Sequence, residues 1–258
     1  MSSRPVVLVT GAARRIGRSI ALDLAAHGYD VAVHCHASVT EAQATAAMLR
    51  ELGARAEVFV ADLADEAACN ALVPRVAAQF GRVDAVVNNA SLFEHDNVAS
   101  FSFDAMARHW QTNTAPAIVL ARSLHALAEN AGNTGVVINL LDQKLWNPNP
   151  DHLSYTLSKA ALQAATTMLA MALAPRLRVC AVAPGVTLLS GPMADDEFAA
   201  AHRMTPLQRS STPDDLARAV RFLIESPAIT GTTLLVDGGQ HLQSQSRDVM
   251  FLAREAKA

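Results

Sequence analysis

Tyr155 and Lys159 stand four residues apart in Tyr-Thr-Leu-Ser-Lys, so on a helix they share one face. An ammonium beside a phenol favours phenolate and lowers a tyrosine pKa from its usual value of about 10. Tyr155 would then be a usable proton donor near neutral pH. Asp142 lies thirteen residues before Tyr155, just past the apolar run Gly135–Leu140. A charged Asp142 would raise the Tyr155 pKa and oppose Lys159; with one shared proton the two titrate as a coupled pair. A carboxyl here suits proton relay and is a poor polariser of a carbonyl group, because a carboxylate repels a developing oxyanion. The structural alternative for Asp142 is a cap on the turn that follows the strand.

A second constellation is Thr10-Gly11-Ala12-Ala13-Arg14-Arg15-Ile16-Gly17. Gly11 permits a tight turn, Gly17 permits close helix packing, and the free N–H groups at the helix start can hold a pyrophosphate. The spacing is TGxxxxxG rather than GxGxxG, with alanine or arginine where other variants carry glycine. A site for NAD usually places Asp or Glu about 20 residues past the turn, on the ribose 2′-OH. The corresponding segment is His34-Cys35-His36-Ala37-Ser38, without a carboxylate; Asp30 precedes it and Glu41 falls in the next helix. Arg14, Arg15, His34, His36 and Ser38 make an environment suited to a 2′-phosphate, which points to NADPH.

These residues need elements to position them. Strand-like runs read at Val6–Val9, Val31–Val33, Ala56–Val60, Val83–Asn88, Gly135–Leu140, Leu177–Val182 and Thr233–Val236. Helical patterns read at Ile16–His27, Val39–Leu52, Asp65–Phe80, Phe103–Asn130, Ser154–Leu173 and Asp214–Glu225. Short β-branched runs alternating with helices predict a parallel sheet covered on both faces. The expected fold class is α/β: one doubly wound, Rossmann-like domain over residues 1–258 with seven strands. Residues 186–212 interrupt the alternation after a strand C-terminus and are expected to form a substrate lid.

Composition agrees. Of 258 residues, 51% are apolar and 17% charged, with a net charge of −3, so there is no basic excess to cover a phosphate backbone and nucleic-acid binding is not expected. No uncharged apolar run is long enough to span a bilayer. The opening Met-Ser-Ser-Arg-Pro runs straight into a strand pattern without a signal-peptide core. Cys35, Cys69 and Cys180 are isolated, so they read as reduced thiols of a cytoplasmic protein and suggest no metal site.

Together these features resemble the short-chain dehydrogenase/reductase family over almost the whole chain. The cofactor turn is Thr10 to Gly17, and Ala61-Asp62-Leu63 is similar to the segment that meets the adenine. Asn88-Asn89-Ala90-Ser91 is similar to the NNAG motif, Asn113 falls on the catalytic asparagine, and Pro184-Gly185, with Thr187 after it, is similar to the PG segment on the cofactor. Asp237-Gly238-Gly239 is similar to the motif after the last strand. Asp142 departs from the usual serine and resembles the pteridine reductase branch, as do Gly-Ala-Ala-Arg-Arg-Ile-Gly, the His34–Ser38 segment and Asn89-Ala90-Ser91-Leu92-Phe93. Ala37 replaces an arginine of that branch.

The resemblance implies reduction of a pterin by NADPH. Phe93 would stack on the ring, Arg15 and Ser91 would hold its polar edge, and Leu188 and Met193 would come from the lid. Tyr155 with Asp142 would supply the proton, because reducing a C=N bond needs a proton on a ring nitrogen. Lys159 would hold the nicotinamide ribose, and Asn113 would hold a water leading from Lys159 to solvent. Trp146 would cover the same pocket. The resemblance further implies a homotetramer, in which the tail after Asp237 could reach a neighbour's site. The competing readings are a carbonyl reductase acting on 3-oxoacyl thioesters and a non-catalytic NADPH-binding regulator.

Overall fold

The computed structural model describes residues 4–189 and 194–255. Its centre is one seven-stranded, all-parallel sheet in the order β3-β2-β1-β4-β5-β6-β7. The strands are β1 Val6–Val9, β2 Asp30–Cys35, β3 Ala56–Val60, β4 Ala85–Asn88, β5 Gly135–Leu140, β6 Leu177–Pro184 and β7 Thr233–Val236. Each expected strand is present, with ends moved by at most a few residues. The five inner strands, β2, β1, β4, β5 and β6, are almost continuously buried, as both faces carry helices.

Helices α1 (Arg15–Ala26), α2 (Val39–Glu51) and α3 (Glu66–Phe80) connect the first four strands. The expected long helix after β4 is broken: α4 (Phe103–His109) passes through a π-helical turn, Trp110–Thr114, into α5 (Ala115–Ala131). Next come α6 (Leu153–Ala172), α7 (Asp195–Arg203), α8 (Pro213–Glu225) and α9 (Val249–Glu255). One apolar layer joins the sheet to α1, α2 and α8, and another joins its opposite face to α3 and α5. The apolar run Ala160, Ala161, Ala164, Ala165 and Met168 is turned outward, with Met168 67% exposed. The core face of α6 is instead Tyr155, Lys159, Leu162, Thr166 and Ala170.

The supposed lid has structure of its own. Its centre is α7, packed against α9, and its return limb lies on the Asp237-Gly238-Gly239 turn. Leu207 N–H donates to Gly238 O there. Neither α7 nor α9 was expected, since both are short, nine and seven residues.

The strand order reverses between β1 and β4, the switch point where doubly wound sheets bind ligands. The backbone packs very tightly there. A Cβ on Gly17 would lie 2.3 Å from Gly11 O and 2.6 Å from Asn89 Nδ2. Gly11 itself has φ +63°, in the left-handed region. Thr10 Oγ1 accepts from Asn89 N–H and Ala90 N–H, and Asn89 Nδ2 donates to Thr10 O at 2.9 Å.

His34 braces this turn from β2. Its Nδ1 accepts from Gly11 N–H at 3.1 Å, so its Nε2 carries the proton and donates to Ala61 O at 3.1 Å. The ring is 2% exposed, and burial lowers its pKa to about 4. It is therefore a neutral strut between the turn after β1 and the end of β3. Because the folded pKa lies below the ordinary 6.5, this stability is complete above about pH 6.5 and is lost as pH falls toward 4. Denaturant titrations between pH 4 and 7 are expected to show a loss of up to on the order of 3 kcal/mol in wild type. The pH dependence should be clearly smaller in His34→Gln.

Candidate active site

At the end of β5 the chain turns into a short 3-10 segment, Gln143–Leu145. Asp142 caps it: Oδ1 accepts from Lys144 N–H at 2.9 Å. Its other oxygen, Oδ2, accepts from Tyr155 Oη at 2.8 Å. The cap weighed for Asp142 is present, and it uses one oxygen while the other meets Tyr155. Tyr155 sits in the first turn of α6, whose start is tied down by Asp96 accepting from Ser154 N–H and Oγ.

Lys159 lies one turn further on, but its ammonium does not bond the phenol. Nζ donates to Leu140 O at 2.7 Å and stands 5.7 Å from the Tyr155 ring centre. Burial lowers its pKa to about 8, partly opposed by Asp142. Burial, then the Asp142 charge, push the Tyr155 phenol well above its usual value. The shift runs opposite to the lowering expected from Lys159 and in the direction expected from Asp142. Burial also raises the Asp142 carboxyl, outweighing its bonds to Lys144 N–H and Tyr155.

Asn113 lies in the π-helical turn, a feature frequent at functional sites. Its Nδ2 donates to Leu92 O and Ser158 Oγ, and its Oδ1 accepts from Leu92 N–H and Ser91 Oγ. The amide thus has protein partners on both its oxygen and its nitrogen. It fixes the Ser91–Phe93 segment to α6.

Two cavities meet at Arg15, Ile16, Asn89 and Ser91. The larger, about 650 Å³, is walled by the Gly11–Gly17 turn, the His34–Ser38 segment, Asp62, Leu63 and Ala90. Ala61 stands behind the wall, with its carbonyl on His34. The cleft fits a phosphorylated dinucleotide. The start of α1 carries no side-chain cap, and Arg14 and His36 are exposed beside it. His36 Nε2 stands 3.9 Å from Asp62 Oδ2.

The second cavity, about 370 Å³, holds Asp142, Tyr155 and Lys159 with Phe93, Pro184, Gly185, Thr187 and Leu188. Phe93 is 44% exposed; its ring stacks on His152 at 4.3 Å and meets Tyr155 edge-on at 4.6 Å. Thr187 spends its hydroxyl on Gly185 O and Ser211 Oγ. Arg15 adopts φ +56°, strained for a residue with a side chain, and its Nη2 donates to Leu189 O at 2.7 Å. It thereby joins the cofactor turn to the start of the lid. Met193 lies outside the described residues. Trp146, expected to cover this pocket, follows the 3-10 turn and is not among the residues that line the cavity.

Sequence reasoning missed Gln143 and Lys144, and turned the tail after Asp237 toward a neighbour's site; Gln240, Asp248, Val249 and Met250 line this cavity of their own chain. The C-terminal segment folds over its own chain's site: Arg247 forks onto Asp151, Asp248 N–H donates to Asp151 Oδ2, and Lys144 Nζ reaches Asp248. Burial alone would raise the Asp151 carboxyl, but Arg247 and this N–H hold it below the usual range. The acidic and basic residues of the tail were the available signal, yet their partners lie about a hundred positions away.

The family model described as Enoyl-(Acyl carrier protein) reductase matches residues 11–241. The chain is similar to Pteridine reductase 1 of Leishmania tarentolae, 32% identical over 92% of this chain and 96% of that protein. It is also similar to the 3-oxoacyl-[acyl-carrier-protein] reductase FabG of Staphylococcus aureus, 33% identical over 91% and 97%. Among solved structures, FolM Alternative dihydrofolate reductase 1 from Brucella canis, complexed with NADP, superimposes with a TM-score of 0.90 and 40% identity, covering 96% of this chain and 98% of that one. With the seven-stranded sheet and these matches along its length, the chain belongs to the short-chain dehydrogenase/reductase family and is an oxidoreductase of that family.

Proposed function

We propose that this protein is an NADPH-dependent reductase of pterins, converting a dihydropterin to the tetrahydro form. The observation that carries this reading is the 2.8 Å hydrogen bond from Tyr155 Oη to Asp142 Oδ2. A reducible C=N bond needs a proton at nitrogen, and two adjacent, desolvated groups with raised pKa values keep one available at neutral pH. The similarity to a pteridine reductase and to a FolM dihydrofolate reductase supports it. When bound, the reduced nicotinamide supplies the hydride.

The chain's own groups have distinct tasks. The Gly11–Gly17 turn and the start of α1 hold the diphosphate, and Arg14, His36 and Ser38 hold the 2′-phosphate. Asp62 and Leu63 flank the adenine. Lys159 holds the nicotinamide ribose, and Pro184, Gly185 and Thr187 shape the nicotinamide end. Phe93 offers a flat face to the substrate ring, and Arg15 and Ser91 meet its polar edge. Tyr155 gives its proton to the substrate and regains one through Asp142. The outward apolar face of α6 supports assembly with further copies of the chain.

A second reading, reduction of a 3-oxoacyl thioester, is favoured by the similarity to FabG. Asp142 opposes it, since a carboxylate beside a forming oxyanion raises the barrier.

Oxidation of NADPH is expected with a 7,8-dihydropterin and not with a 3-oxoacyl thioester assayed in parallel. Asp142→Asn should lower kcat on the dihydropterin by about a hundredfold or more, the range for a lost proton donor or relay; the opposite substrate preference would overturn the assignment. The Lys159 ammonium is present below about pH 8, so kcat/KM for NADPH should decline as pH rises through that value. A flat profile between pH 7 and 9 would remove Lys159 from this role. Arg15→Gly removes the backbone strain, so denaturation should find it within about 1 kcal/mol of wild type, or more stable. Its KM for the dihydropterin should nevertheless rise severalfold.

A further inference from the structure

Phe93 lines the substrate cavity with its ring part-exposed, and one face of that ring is covered by His152. The two rings stack with centroids 4.3 Å apart and planes 17° apart. His152 is 3% exposed and is not among the residues that line the cavity. It directly precedes α6 and adopts φ +54° and ψ +51°, the left-handed region that histidine and asparagine enter more readily than most residues. The proton-donating pair makes no use of it.

The imidazole is a neutral platform. Its Nδ1 lies 3.1 Å from Glu94 O, and a carbonyl only accepts, so Nδ1 carries the proton and donates. Nε2 is then the bare nitrogen, buried without a partner among the described residues. A second proton there would have nothing to bond. Burial lowers the pKa; Lys144 and His95 act with it, and Asp248 and the Glu94 carbonyl oppose it.

The backbone on both sides of Phe93 is fixed separately. Asn113 holds Leu92, His109 Nε2 accepts from Glu94 N–H at 3.4 Å, and the Asp96 carboxylate accepts from Ser154 N–H. These contacts place the peptide but leave the torsions of the phenyl side chain unset. A part-exposed ring changes rotamer unless a surface stops it, and ordering it on binding would cost affinity. The imidazole supplies that surface.

We propose that His152 is a positioning residue that holds Phe93 in place to stack on a flat substrate ring, and so sets substrate affinity from outside the cavity. This rests on the pterin reading and adds a residue that governs affinity within it. The test is steady-state kinetics with NADPH and a 7,8-dihydropterin for wild type, His152→Asn and His152→Phe. Asparagine accepts the left-handed backbone and its amide can donate to Glu94 O, yet it offers Phe93 no ring. Phenylalanine restores a ring and removes the donor.

In His152→Asn the KM for the dihydropterin should rise about twofold to tenfold, the effect of one lost aromatic pair, while kcat and the KM for NADPH stay close to wild type. His152→Phe should return the KM toward the wild-type value. The same His152→Asn change in a Phe93→Leu background should add little, because the ring that it positions is gone; this arm stands if His152→Phe fails to fold. An unchanged KM in His152→Asn, an equal rise in the KM for NADPH, or a full additional loss in the Phe93→Leu background would overturn the positioning role while the pterin reading stands. Failure of wild type to reduce the dihydropterin would overturn that reading and this role together.

Discussion

The architecture of both cavities depends on one close approach of backbone to backbone. Gly17 of α1 sits on Gly11 with no room for even a methyl group, and Asn89 bonds the carbonyl of Thr10 beside them. This contact sets where α1 begins, and so where its free N–H groups point. It also joins the end of β1 to the end of β4, which carries Ser91 and Phe93 into the second cavity. His34 braces the same turn from β2 as a neutral ring. A charged histidine could not accept from Gly11 N–H, so burial and the hydrogen bond impose the same protonation state.

Burial also governs the second cavity. It lowers the lysine and raises the phenol and the carboxyl, so each of the three is moved toward its uncharged form. The Tyr155–Asp142 hydrogen bond persists in that low-dielectric setting because each partner is held by its own element, Tyr155 by α6 and Asp142 by the turn it caps. Proton transfer, rather than stabilisation of a lasting charge, is the chemistry such a pair serves under the proposed function.

Much of the fold was legible because its signals are local. Buried parallel strands read as unbroken β-branched runs, and glycines mark where the chain must turn. The Gly11–Gly17 turn, the Tyr155–Lys159 spacing and the displaced carboxyl at Asp142 needed only short windows. The elements that were missed depend on distant partners. Helix α7 has few apolar residues of its own and packs on α9, and α9 is anchored through Asp151 and Lys144. The helix expected after β4 is divided by a π-helical turn, from which Asn113 bonds the distant Leu92 and Ser158.

The sequence by itself determined the alternation of strands and helices, the phosphate-binding turn and which residue types face the reacting centre, because these follow from periodicity and from backbone needs that only glycine meets. Tertiary structure decided the charge states and the boundary of the cavity. Lys159 lies on the helical face its spacing predicts, yet its ammonium bonds a strand carbonyl rather than the phenol, and desolvation, which no spacing records, sets its pKa. The far wall comes from Asp248 and its neighbours, brought back over their own site by ion pairs spanning some hundred residues, a distance at which residue types alone do not specify who meets whom.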